Sequence, residues 1–345
     1  MKVLVTGHNG YVGSEMVPIL RAAGHEVVGL DAFYFEDCTF EDDEPPVPAL
    51  RKDIRDVTAA DLEGFDAVLH LAALSNDPLG DLNPRCTYDV NHAAAVRVAT
   101  CAKEAGVGRF LQASSCSLYG AAGDAFLDES ASFNPVTPYG ESKVFVERDV
   151  GRLADDGFSP VFLRNATAYG VSARLRADLV VNNLVGYACT SGRVFIKSDG
   201  TPWRPLVHVA DIGHAFLAAL EAPRDAIHGQ AFNVGANAEN YRIREIAEMV
   251  REEVPGSVVE FAADAGPDKR CYRVDCSKIA RMLPSFRPRW NVRAGIRQLA
   301  EAYRRHGLTE SEFLGSRYLR IRRVRELMEL GRLDADLRWR GSRGR

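Results

Sequence analysis

The stretch Lys2–Gly13 constrains this chain more than any other. Lys2-Val3-Leu4-Val5-Thr6 is apolar or β-branched almost throughout and opens directly into Gly7-His8-Asn9-Gly10-Tyr11-Val12-Gly13. A short run that does not alternate polar with apolar marks a strand buried on both faces, as inside a parallel sheet. The three glycines, at 7, 10 and 13, suit a tight turn that feeds a helix. The first permits the turn, the second lets a ligand approach the backbone, and the third lets helix and strand pack closely.

The same alternation continues. A helix is expected over residues 11–23, kinked at Pro18, then a second apolar strand, Glu26-Val27-Val28-Gly29-Leu30, ending on Asp31. Residues 33–48, acidic and proline-bearing, read as an irregular surface loop. A short strand precedes Asp53, Ala67–Ala73 is another buried strand, and residues 84–106 form a long alanine-rich helix. The strand Arg109–Ala113, a helix opened by Tyr139 and the strand Pro160–Arg164 follow. Strands alternating with helices imply an α/β fold with a doubly wound parallel sheet. We expect this domain to span residues 1–170, with the chain returning to it around 205–235. Residues 171–310, shorter in their elements and punctuated by proline, are expected to build mainly a smaller α/β lobe. Residues 311–345 form an arginine-rich helical extension.

Bulk properties exclude several classes. With 345 residues, 46% hydrophobic and 26% charged, the chain can bury a large core. A net charge of -4 offers no basic field for nucleic acid. The seven cysteines contain no C-x-x-C pair, which fits a reducing compartment and no zinc site. No apolar run approaches the roughly 20 residues that span a bilayer, and strand and turn begin at once, so no signal peptide is expected. These features are those of a soluble cytoplasmic protein that binds no metal.

The glycine turn has a chemical reading. Amide N–H groups at a helix N-terminus attract phosphates, and an acid ending the second strand, here Asp31, accepts from ribose hydroxyls. A carboxylate there repels a 2′-phosphate, so NAD is expected over NADP. Asp53 and Ile54 are placed near the adenine, and Leu71, Ala72 and Ala73 where backbone passes close to the cofactor. The alternative is a turn without a ligand, with Asp31 as a loop or capping aspartate.

Ser114-Ser115-Cys116-Ser117 follows a buried strand, so its hydroxyls emerge where open α/β sheets bind ligands. Tyr139 and Lys143, four apart, share a helix face. A free tyrosine ionises near pH 10, and shifting that to neutrality takes about 4 kcal/mol. The Lys143 ammonium and an oxidised nicotinamide can supply it. Ser115 would hydrogen-bond the substrate oxygen. The alternative is a helix-start aromatic packed on its neighbours.

Taken together, the chain resembles the extended short-chain dehydrogenase/reductase family, the NAD-dependent nucleotide-sugar epimerases and dehydratases. The resemblance runs from residue 1 to about 305. It rests on Thr6–Gly13, Asp31, His70–Ala73, Asn91, Ser115, Tyr139, Lys143, Leu163-Arg164, Tyr169-Gly170 and Arg204–Asp211. It implies a Rossmann domain whose NAD is held by Gly7, Asn9, Gly10, Tyr11, Val12 and Gly13, with Asn91, Tyr139 and Lys143. It also implies a nucleoside-diphosphate sugar in the C-terminal lobe, met by Arg204 and Arg270 at its diphosphate and by Ser117 and Asn182 nearby. Asn183 is a further candidate. A homodimer is the family's usual assembly.

The resemblance also bears on the reaction. Family dehydratases carry an acidic pair or a Glu just after the catalytic Ser, and decarboxylases usually keep a Glu where Ser117 stands. Here those positions are Cys116 and Ser117, and Cys116 is expected to be a packed thiol. Two reactions remain: 4-epimerisation through a transient 4-keto sugar, or reduction of a 4-keto-6-deoxy sugar. Thr167 departs from the family's usual asparagine. In the tail, Leu319, Val324, Leu327, Leu330 and Leu333 make an apolar stripe expected to dock on the same protomer or a dimer mate.

Overall fold

The computed structural model describes residues 1–40, 46–75, 83–266 and 270–341. Its strands are β1 (Lys2–Thr6), β2 (Glu26–Asp31), β3 (Ala49–Arg51), β4 (Ala67–His70), β5 (Arg109–Ser115), β6 (Ala121–Leu127) and β7 (Ser159–Asn165). There follow β8 (Thr167–Tyr169), β9 (Arg193–Ser198), β10 (Trp203–His208), β11 (Ala231–Val234), β12 (Asn240–Arg242), β13 (Val258–Gly266) and β14 (Cys271–Val274).

Seven strands form one parallel sheet in the order β3-β2-β1-β4-β5-β7-β11. The unalternating apolar runs are explained by what covers each face. Val3, Val5, Leu69, Leu111 and Val161 pack beneath the helices Tyr11–Ala22 and Val209–Glu221. Leu4, Val68, Phe110 and Phe162, which alternate with them, pack beneath Ala94–Glu104 and Pro138–Gly151. Both faces are thus dry, and a doubly wound Rossmann-type sheet results.

The remaining strands form small sheets: β12-β10-β8, β13-β9 and β14-β6. The first two are joined by a core in which Leu184, Val185, Ile246, Ile296, Leu299 and Tyr303 are buried. Tyr11–Ala22 is one continuous helix with Pro18 inside it. Residues 33–40 are not simply a surface loop. Cys38 and Phe40 are buried, and Phe40 makes edge contacts with Tyr303 and Tyr318. The rest of the expected loop includes residues 41–45, outside the described residues.

The helix of the tail runs over Arg320–Glu329. Val324, Leu327 and Leu333 are buried against Leu74 and Cys86 of the same chain. Leu330, expected in that stripe, is instead exposed, because the helix ends there and the chain turns at Gly331. No helix among the described residues is long and apolar enough to cross a membrane.

Candidate active site

The strand order reverses between β1 and β4, so loops leaving these strands diverge to opposite faces of the sheet. Ligands of open α/β sheets bind in that crevice. Here a cavity of about 970 Å³ opens at it, lined by the glycine turn, Leu71–Ala73, Ser115, Tyr139 and Lys143.

The glycines at the ends of the turn are required by packing. Gly7 sits at φ 73°, and a Cβ there would lie 2.8 Å from the Ala72 amide nitrogen. A Cβ on Gly13 would lie 2.4 Å from the Gly7 carbonyl oxygen. Gly10 caps the helix Tyr11–Ala22 without a side-chain hydrogen bond, so no capping side chain covers the first-turn N–H groups beside the cavity. Tyr11 lines the cavity, and its hydroxyl donates to the Gly170 carbonyl at 2.8 Å.

Asp31, at the end of β2, is held in place by two amides. Asn9 N–H donates to Oδ2 at 3.1 Å and Phe33 N–H to Oδ1 at 2.7 Å. Burial pushes the carboxyl above its ordinary range, opposed by the neighbouring His8 and these two bonds. Asp53 and Ile54 line the same end, with Asp53 paired to Arg55 at 2.6 Å. Opposite them, Ala72 N–H donates to Thr6 Oγ1 at 3.3 Å, and Thr6 Oγ1 lies 2.8 Å from His70 Nδ1. Burial, then the Lys143 charge, pull His70 down to about 3, so it is neutral and ties β1 to β4 without titrating near neutrality.

Asn91 does not line the cavity. Its amide is buried, accepting from Leu74 N–H at 2.7 Å and donating to the Leu74 carbonyl and to Ser142 Oγ. It pins the loop after β4 to the Tyr139 helix, so its action on any ligand is indirect.

That helix starts on Thr137, whose hydroxyl accepts from Gly140 N–H, with Pro138 in its first turn. Tyr139 therefore stands at its N-terminal end, half-buried, and Lys143 one turn later is buried. Lys143 Nζ donates to the Ala113 carbonyl at 2.8 Å and sits 5.6 Å from the centre of the Tyr139 ring. Ser115 Oγ accepts from Ser117 N–H at 3.1 Å, which leaves its own proton available to the cavity. Ser117 lines the cavity, but its hydroxyl is buried and has no hydrogen-bond partner among the described residues. Cys116 points away. It is wholly buried, its thiol lies 3.1 Å from the Arg164 carbonyl oxygen, and burial raises its ionisation far above the ordinary range.

At the far end Arg204 and Arg270 line the cavity together, Arg204 donating to the Arg270 carbonyl. Asn182 does not reach it. Its amide is buried between Gly170 and the Arg176 carbonyl, because this side of its helix faces the core. The next residue, Asn183, lines the cavity instead. Arg176, Asn165 and the tail residues Leu319–Ile321 also line it and were not foreseen. The surplus of arginine in Arg174-Leu175-Arg176-Ala177-Asp178 was the one available signal for the first.

The family model described as "NAD dependent epimerase/dehydratase family" matches residues 3–235. The chain belongs to this family. It is 30% identical over 311 residues to UDP-glucose 4-epimerase of Lactobacillus helveticus, covering 84% of this chain and 92% of that one. It is 27% identical over 326 residues to UDP-glucuronic acid decarboxylase 1 of Arabidopsis thaliana, covering 91% and 72%. The solved structure of MoeE5 in complex with UDP-glucuronic acid and NAD shares a TM-score of 0.77 at 28% identity, over 88% of this chain and 99% of that one.

As a member of the NAD-dependent epimerase/dehydratase family the protein is an enzyme whose cofactor is NAD. The uncapped helix N-terminus, the amide-held Asp31 and the cavity's size are consistent with an elongated dinucleotide.

Burial lowers Lys143 to about 8, opposed by the charge of Glu147. An unfolded lysine holds its proton to about pH 10.4. Between those values the unfolded chain binds the extra proton, so stability rises as pH increases through this window. Urea unfolding of the cofactor-free enzyme should therefore show wild type gaining stability relative to Lys143→Met from about pH 7.5 to pH 10. A difference that stays flat across that range would mean that burial does not weaken the hold of Lys143 on its proton.

Proposed function

We propose that the enzyme is a nucleoside-diphosphate-sugar 4-epimerase working through a transient 4-keto sugar. The observation that carries this is the pair of positions after Ser115. Cys116 is locked in the core, and Ser117, which lines the cavity, carries no charge. The carboxylates lining the cavity among the described residues are Asp31, Asp53 and Asp178, none of them in this loop. Asp178 is paired with Arg176 at 2.9 Å. Water elimination needs a proton moved at a second carbon, and no acid stands beside Ser115 to move it. Epimerisation needs only one proton site.

NAD, when bound, supplies a reversible hydride acceptor. Ser115, its proton free, donates to the sugar 4-oxygen and holds it toward Tyr139. The Tyr139 oxygen takes the 4-hydroxyl proton as the C4 hydride leaves, and returns it when hydride comes back to the opposite face. The nearby Lys143 ammonium stabilises the tyrosine anion that must exist before the proton is taken and again after it is returned. The two arginines, Arg204 and Arg270, meet the substrate diphosphate and keep the keto sugar tethered while it turns. We place two such subunits in a homodimer through the Tyr139 helix.

The test is a panel of nucleotide sugars incubated without added cofactor and followed by NMR. Inversion at C4 with no net consumption of NADH is expected. Turnover restricted to a 4-keto-6-deoxy sugar, with one NAD(P)H oxidised per product, would assign reduction instead.

A further inference from the structure

The tail crosses the end of the cavity that holds Asp31. Arg323 pairs with Asp37 at 2.8 Å, Trp339 Nε1 donates to the Ala32 carbonyl at 2.6 Å, and Tyr34 donates to the Leu337 carbonyl. On the neighbouring turn, Arg55 donates to the Asp336 carbonyl at 2.7 Å and Arg338 pairs with Asp56 at 2.6 Å. These contacts tie the tail to the segments after β2 and β3, beyond the stretch that carries the family resemblance.

One residue of the tail enters the site itself. Arg320 lines the cavity and is only 4% exposed. Its Nη2 donates to the Arg174 carbonyl at 2.7 Å, and its guanidinium lies 4.1 Å from the centre of the Phe35 ring. Its Nη1 is buried with no hydrogen-bond partner among the described residues. Burial, then the charges of Arg176 and Arg174, lower it to about 10, opposed by Cys38 and the Asp178 carboxylate, so it remains a cation at neutral pH. A buried cation beside two others, with an empty donor, is costly unless an anion completes it. Arg174 in turn reaches the glycine turn, donating to Asn9 Oδ1 at 3.0 Å. Arg320 is thus linked through Arg174 to the glycine turn on the cofactor side of the cavity.

We propose that Arg320 is a cofactor-binding residue that holds the diphosphate of NAD, so that the tail both roofs the site and supplies part of it. This rests on the NAD site described above. It assigns to the tail a role in retaining the cofactor through the keto intermediate, when loss of reduced NAD would strand the enzyme.

The test titrates cofactor-free full-length enzyme with NAD, and separately with UDP, by calorimetry. Arg320→Leu should weaken NAD binding about tenfold to a hundredfold, the scale of a lost charge-assisted bond, and leave UDP within about twofold. The same variant without cofactor should unfold no earlier than wild type, since it removes a buried charge with an unpartnered donor. Arg320→Gln, which keeps a donor and loses the charge, should show the same loss of NAD affinity and serves if the leucine variant does not fold. Unchanged NAD affinity in a folded variant overturns the proposal, as does a loss that falls on UDP. Failure of the wild type to bind NAD would overturn the cofactor assignment instead.

Discussion

Tyr139→Phe is expected to lower kcat on the productive nucleotide sugar by about 10²–10⁴-fold, the usual contribution of a positioned acid or base. The substitution removes a single oxygen. The ring keeps its place at the start of the Pro138–Gly151 helix and its contact with the Lys143 ammonium. NAD content should therefore match wild type, and KM should change little, because the lost group acts on the proton in flight. Measuring kcat together with bound NAD separates this from a folding defect. A variant retaining more than about a tenth of the wild-type rate, below the range for such a group, would remove Tyr139 from the proton transfer.

The largest loss of stability is expected at Arg164. Its guanidinium makes a fork on Glu147, with Nη2 at 2.7 Å and Nε at 3.0 Å, and Nη1 donates to the Tyr119 hydroxyl at 2.9 Å and the Glu129 carbonyl at 3.0 Å. Ser114 adds a bond to Glu147 at 2.5 Å. Both charged side chains are buried, at 5% and 7% exposure, so removing one strands the other. Arg164→Met should cost about 3–5 kcal/mol, read as a lower urea midpoint. The double variant with Glu147→Met should recover much of that, since an apolar pair can replace a buried ion pair. A single-variant loss under about 1 kcal/mol would place the pair among surface-like bridges. The pair matters to chemistry because Glu147 lies one turn beyond Lys143 and fastens that helix to β5 and β7.

What could be foreseen was what local sequence encodes. Gly7 and Gly13 announced themselves because backbone packing leaves no room for a side chain there. Tyr139 and Lys143 announced themselves because helix spacing fixes which side chains share a face. Asn182 and Asn183 show the limit. Adjacent helix positions point about 100° apart, and only the packed lobe decides which of the two meets the cavity. Asn91 shows another: a polar residue in a buried helix serves a loop or a ligand equally well until the loop's path is known. Arg320 was out of reach, because its place depends on the tail folding back across some 290 residues to Tyr34 and Phe35.

Every other wall of the cavity precedes residue 317 in the chain. During synthesis, which runs from the N-terminus at about 5–20 residues per second, the sheet, the glycine turn and the Tyr139 helix are therefore all made before the segment that roofs them. The segment that crosses the cleft is thus the last of its walls to be translated.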